Sequence, residues 1–222
     1  MDIVNLVVRQ LTAIADLGGP VVILLIIVSV LTLAVVLYKL WQFSAAGVGR
    51  HTALSEAAAA WDAGNRPAAY EALGRSKSYL SPVLGAALNG DITAKDRLQA
   101  EADARFVRLE RGFRFLDTVA QLAPLLGLFG TVLGMIEAFQ ALQSAGAQVD
   151  PSILAGGIWV ALLTTAVGLA VAMPTAMVLT WFEGRMENER VLSDKLILTV
   201  LAPSGQRAAA QTDVPDMAPA HG

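Results

Sequence analysis

Hydrophobic residues gather in three runs, each long enough for one membrane crossing. The first extends from Pro20 to Phe43, and no Asp, Glu, Lys or Arg interrupts it before Lys39. The second covers roughly Val119 to Leu142 and the third roughly Ile153 to Phe182. As helices rising about 1.5 Å per residue, all three can cross a hydrocarbon core of about 30 Å. Tyr38, Trp41, Trp181 and Phe182 fall where aromatic side chains collect at a membrane–water boundary. Ahead of the first run, Val4, Val7, Val8, Leu11, Ile14 and Ala15 share one helical face. Asp2, Asn5, Arg9 and Asp16 lie mostly elsewhere, which predicts an amphipathic helix lying on the interface.

Between the first two runs the pattern is also helical. The stretch HTALSEAAAAWDAG ends at Gly64, while RPAAYEALG and SPVLGAALNG each start near a proline and finish on a glycine. Thr93 with Asp96 resembles a capping box. Beyond it Leu98, Ala102, Phe106, Leu109, Phe113, Leu116 and Ala120 recur at steps of three and four. That spacing predicts a single helix from about Ala94 to Leu142, kinked near Pro124. The third run is expected to continue as a helix through EGRMENERVLSDKLILTVL. The tail from Pro203 is rich in Pro, Ala and Gln and is expected to be disordered.

The expected fold is therefore all-α and polytopic, with two of the three spans prolonged as long cytoplasmic helices. Its segments are an interfacial helix at 1–18, spans at 19–43, 119–142 and 153–182, a helical loop domain at 44–118, a short link at 143–152, a cytoplasmic helix at 183–202 and a tail at 203–222.

Charge fixes an orientation. Lys39, Arg50 and the Arg105, Arg108, Arg111, Arg114 series border the large loop, and Arg185, Arg190 and Lys195 follow the third run. The link Gln143 to Ser152 has no Lys or Arg. The large loop and C-terminus are expected in the cytoplasm and the N-terminus outside, with Arg9 the one dissenting charge. The arginine series is also placed to attract anionic headgroups of membrane lipids. The first ten residues, MDIVNLVVRQ, lack a basic leader region, so the first run is expected to be retained.

Composition excludes several kinds of chemistry. Of 222 residues 55% are hydrophobic and 16% charged, too apolar for an ordinary soluble domain. A net charge of −3, with no basic patch interleaved with aromatics, gives no nucleic-acid signal. There is no cysteine, and His51 and His221 are far apart in polar contexts. No phosphate loop, cofactor motif or nucleophile–base arrangement is present, so neither an enzyme nor a cofactor is expected.

Small residues mark the second and third runs. Gly127, Thr131 and Gly134 share a face, and Gly130 with Gly134 makes a GxxxG. Gly157, Ala161, Thr165, Gly168 and Ala172 step by four, four, three and four. Such ridges let helices approach closely in lipid, where association depends on packing. Two readings stay open: the ridges dock on each other as a hairpin, or part of this surface faces a central space with Thr131 and Thr165 as its polar points. A hydroxyl there can hold water or pass on a proton without the cost of a buried charge.

The stretch APLLGLFGTVLGMIEAF, followed by GGIWVALLTTAVGLAVAMP, resembles the ExbB/TolQ/MotA proton-channel family, in its ExbB/TolQ branch. The resemblance is close over about Phe115 to Glu183 and elsewhere is one of layout. It implies a ring, usually a pentamer, lined by the second and third spans in the bacterial inner membrane. Inside sits an ExbD/TolR-like partner, whose single span carries a proton-bearing Asp. Force passes on to a TonB- or TolA-like protein. The family's path-facing threonines match Thr131 and Thr165, with Thr164 an additional hydroxyl.

Many relatives carry a Glu where this chain has Val160. Either the partner's Asp relays protons alone, or the chain is a non-conducting scaffold of the same fold. Glu137, near the outer end of the second run, is either an interfacial carboxylate or the outer mouth of the path. Arg114 and Asp117 stand at the cytoplasmic threshold, either in surface ion pairs and subunit contacts or at a proton exit.

Overall fold

A computed structural model describes the backbone of residues 2–144 and 151–204, with side chains for all of these except 2–18 and 153. Seven α-helices make up the regular structure among the described residues: α1 (Asp2–Ala46), α2 (Thr52–Asp62), α3 (Arg66–Arg75), α4 (Ser81–Leu88), α5 (Lys95–Glu110), α6 (Phe113–Ser144) and α7 (Pro151–Leu201). Three stretches, Gly19–Ala46, Phe113–Ser144 and Leu154–Leu201, are long and apolar enough to cross a membrane. The chain is thus an all-helical, multi-pass membrane protein.

α1 is interrupted at Gly19 (φ 66°, ψ −168°), just before Pro20. That backbone region is open essentially to glycine alone, and proline removes an N–H that would have continued the ladder. The apolar face predicted for 1–18 lies outside the residues whose side chains are described, as do most of the link and most of the tail.

Local signals before α6 meet a mixed outcome. Pro67 and Pro82 do open α3 and α4. Gly74, however, sits inside α3, which runs one residue further to Arg75. Thr93 caps nothing: the N-cap of α5 is Ala94, without a side-chain bond.

The single helix expected from Ala94 to Leu142 is two helices. Arg111 turns extended (ψ 127°) and Gly112 takes φ 96°, so the i→i−4 ladder stops at Glu110 and restarts at Phe113. The apolar stripe is nonetheless continuous in burial, through Leu98, Ala102, Phe106, Leu109, Phe113 and Leu116. The second span is therefore not prolonged as expected, whereas the third run continues unbroken as α7 to Leu201, with Pro174 inside it.

The chain divides into two compact units. The first comprises Met1–Lys39 and Gly112–Phe182. At its centre Val21 and Leu25 of α1 meet Val119 and Ala123 of α6 and Ala172 of α7. At one end Phe113 stacks on Phe182 with ring centres 5.7 Å apart, and the buried Lys39 ammonium lies 5.6 Å from the Phe113 ring centre. Ile23, Ile27, Leu128, Phe129, Leu162 and Met173 point outward, a surface suited to lipid or apolar helices.

The second unit comprises Leu40–Arg111 and Glu183–Gly222. In it Met186, Leu196, Ile197 and Val200 of α7 are buried, as are Leu54 of α2, Leu84 and Leu88 of α4 and Phe106 of α5. Trp61 donates its indole N–H to the Val200 carbonyl at 3.0 Å, and its ring carries the Arg66 guanidinium at 3.3 Å.

Candidate functional site

The site predicted from the sequence lies in the first unit, where α6 meets α7. Their contact is built on the absence of side chains. A Cβ placed on Gly127 would lie 2.8 Å from the Thr164 carbonyl oxygen and 3.3 Å from Gly168 Cα. One on Gly168 would lie 2.6 Å from the Ala123 oxygen, and one on Gly130 would lie 2.7 Å from Thr164 Cβ. Gly134 is less crowded, with Ala161 at 3.4 Å, while a Cβ on Gly157 would overlap that of Ala138. The two ridges dock on each other within one chain, as a hairpin. Ala172 continues the line into the cluster around Leu25.

The hydroxyls divide into two kinds. Thr164 is buried, and its one hydroxyl proton is shared between Ala161 O of its own helix (2.7 Å) and Gly127 O across the contact (3.1 Å). Thr164, expected beside the path, is thus a bond between α6 and α7 rather than an open wall residue. Thr131 and Thr165 stand at the margin of the contact and are partly exposed. Thr131 donates to the Leu128 carbonyl at 2.6 Å, which satisfies its only proton within the helix. Its oxygen lone pairs remain free to accept from water.

The charged positions lie apart from this contact. Glu137 is exposed on α6. Asp117 accepts from Gln121 Nε2 at 2.7 Å, one turn along the same helix, and the Arg114 carbonyl accepts from Thr118. Val160, partly exposed, precedes the buried Ala161 on α7.

The second unit holds a polar cluster that nothing in the sequence joins, because His51 and Glu189 stand 138 positions apart and belong to no periodic pattern. Glu189 is buried on α7. It receives bonds from His51 Nε2 (2.8 Å), the Gly49 N–H (2.8 Å) and the Tyr79 hydroxyl (2.6 Å). His51 Nδ1 lies 3.1 Å from Ser78 Oγ, which itself accepts from Leu80 N–H. Burial works to raise the pKa of Glu189, but the bonds from His51 and Tyr79 outweigh it and hold the carboxyl below its ordinary value. Burial, then the Glu189 carboxylate, push the Tyr79 phenol far up. A buried carboxylate with three donors ties the loop after α1 and the α3–α4 turn to α7.

Residues 75–194 match the model of the MotA/TolQ/ExbB proton channel family, just over half of the chain. The match takes in both small-residue ridges as well as Tyr79 and Glu189. Over 121 residues the chain is 33% identical to the putative biopolymer transport protein ExbB homolog of Methanothermobacter thermautotrophicus, covering 53% of this chain and 42% of that protein. It is 46% identical over 63 residues to the biopolymer transport protein exbB1 of Vibrio cholerae, 28% of each chain. With the Tol-Pal system protein TolQ of Haemophilus influenzae it shares 48% identity over 69 residues, 31% of this chain and 30% of that one. The matched stretch therefore spans less than half the length of these relatives.

Proposed function

The chain belongs to the MotA/TolQ/ExbB proton channel family, in its ExbB/TolQ branch, and from that premise we propose that it is the ring-forming subunit of a proton-motive-force-driven motor. The observation that carries the proposal is the α6–α7 hairpin, closed on glycine with Thr131 and Thr165 left at its edge. Copies of the hairpin assemble side by side through its apolar outer face into a ring in the bacterial inner membrane. Five copies, as the resemblance implies, enclose a lumen wide enough for a dimer of single-span partners.

The ring's own residues supply a polar but uncharged wall. Water held at Thr131 and Thr165 brings protons to the Asp on the partner's span. The chain itself holds no carboxylate at position 160. Its role is to orient water and to exclude it elsewhere, and it carries out no covalent chemistry. The basic flanks support an orientation with the loop domain and the C-terminus in the cytoplasm and the N-terminus in the periplasm. The relatives carry both biopolymer-transport and Tol-Pal names, so the driven system is either a TonB-type transporter or a TolA-type envelope machine.

A second reading, a non-conducting scaffold, is favoured by Val160 alone. Proton flux into liposomes separates the two. With the partner present, the motor reading expects a flux that disappears when the partner's Asp is replaced and falls with Thr165→Val. A ring that binds the partner yet leaks no more than empty vesicles establishes the scaffold.

A further inference from the structure

In the second unit a cleft of about 350 Å³ opens where α2 begins, lined by Arg50, Arg75, Lys77, Thr52, Ser44 and Ser76 among others. Three cationic side chains converge on it, and no carboxylate is among the lining residues. Arg75 is bridged to Glu56 at 3.1 Å, between two solvent-exposed side chains. Among the described residues neither Arg50 nor Lys77 has an ion-pair partner.

The backbone and hydroxyls add donors of the same sense. Thr52 and Ala53, which also border the cleft, begin an 11-residue helix, where the first N–H groups have no acceptor within the helix. The N-cap residue is His51, and it makes no capping bond because its ring nitrogens are turned to Glu189 and Ser78. Ser76 Oγ accepts from Ser81 Oγ at 2.8 Å and from the Ser78 N–H at 3.3 Å. Both its lone pairs are engaged, so its own proton is left to donate. Cations, helix N–H groups and a hydroxyl proton together outnumber what the two oxygens of a carboxylate accept; a phosphate offers more acceptor oxygens and more charge.

We propose that this cleft binds a phosphate group, carried by a phospholipid headgroup or by a small soluble phosphate. Ser44 follows the first apolar run by a single residue, which brings a headgroup within reach along the chain. The assignment does not depend on proton conduction and stands or falls separately from it.

The test uses the whole protein in neutral detergent. In one arm inorganic phosphate and glycerol 3-phosphate are titrated by calorimetry. In the other, short-chain phosphatidylglycerol and phosphatidylcholine are compared by native mass spectrometry. Binding in the first arm identifies a soluble phosphate; binding of phosphatidylglycerol alone identifies a headgroup. The double variant Arg50→Gln/Lys77→Gln is expected to weaken binding about tenfold or more, as two charge-assisted bonds are lost. Arg97→Gln, an exposed cation that does not line the cleft, should leave it unchanged. Both altered cleft residues are exposed, and an unchanged helical circular dichroism signal confirms the fold. Absence of binding in both arms overturns the proposal. So does an equal loss in the double variant and in Arg97→Gln, which would mean diffuse charge attraction.

Discussion

Gly127 and Gly168 set the distance between α6 and α7, and alanine at either would place a methyl group against backbone oxygen at 2.8 Å or 2.6 Å. Backbone cannot rotate away, so Gly127→Ala and Gly168→Ala are expected to cost about 1–3 kcal/mol each through forced helix separation. Gly134→Ala, with its nearest neighbour at 3.4 Å, should cost less, and Gly156→Ala, which meets nothing within 4 Å, should be neutral or slightly stabilising. Thermal unfolding in detergent checks this order, and an inverted order would mean the ridges do not dock. The two adjacent threonines should separate cleanly. Thr164→Val removes the bond to Gly127 O and is expected to cost about 1 kcal/mol, while Thr165→Val lowers proton flux at unchanged stability. This split was only half legible in the sequence. Steps of four and three reveal a ridge, but they do not tell Thr164 from Thr165, which stand about 100° apart on a helix. Only the partner helix decides which hydroxyl is enclosed.

Among the helices, burial was more legible than continuity. The apolar positions Leu98, Ala102, Phe106, Leu109, Phe113 and Leu116 share one face of the period, and they are buried, because apolar side chains seek the interior whatever the backbone does between them. The break at Gly112 is not legible in the sequence, because one positive φ leaves no trace in a hydrophobic period. The Glu189 cluster left even less, since its partners come from two loops and one helix. It carries a pH dependence whose sign is fixed. The folded carboxyl has a lowered pKa, so its contribution is complete above the unfolded value of 4.5 and is lost as pH falls through the folded value. Tyr79 acts at the other end: its pKa is raised, so its contribution is full below 10.0 and declines as pH rises beyond it. Melting temperature followed over pH should fall at both extremes. Glu189→Gln should flatten the acid limb and Tyr79→Phe the alkaline one; an acid limb unchanged by Glu189→Gln would assign it to other carboxylates.

For the molecule as a whole, the three spans were legible because a bilayer imposes a length and a composition that few other environments do. Assembly was not, since the outward face of α6 and α7 shows large apolar side chains to lipid and to a neighbour alike. Position 160 offers a test at this scale. If the proton carrier belongs to the partner, Val160→Glu should leave flux dependent on the partner's Asp, and liposome assays with that Asp replaced should still read zero. Flux that survives its replacement would give the ring a carrier of its own. The second unit has a further consequence, in the order of synthesis. Its helices α2 to α5 emerge before the second and third spans, yet Met186, Glu189, Ile197 and Val200, which complete its interior, emerge after them. A chain is made from its N-terminus, so this interior stays incomplete until the third span and the start of its extension have been synthesised. The His51–Glu189 bond can therefore form only after the third span has been made.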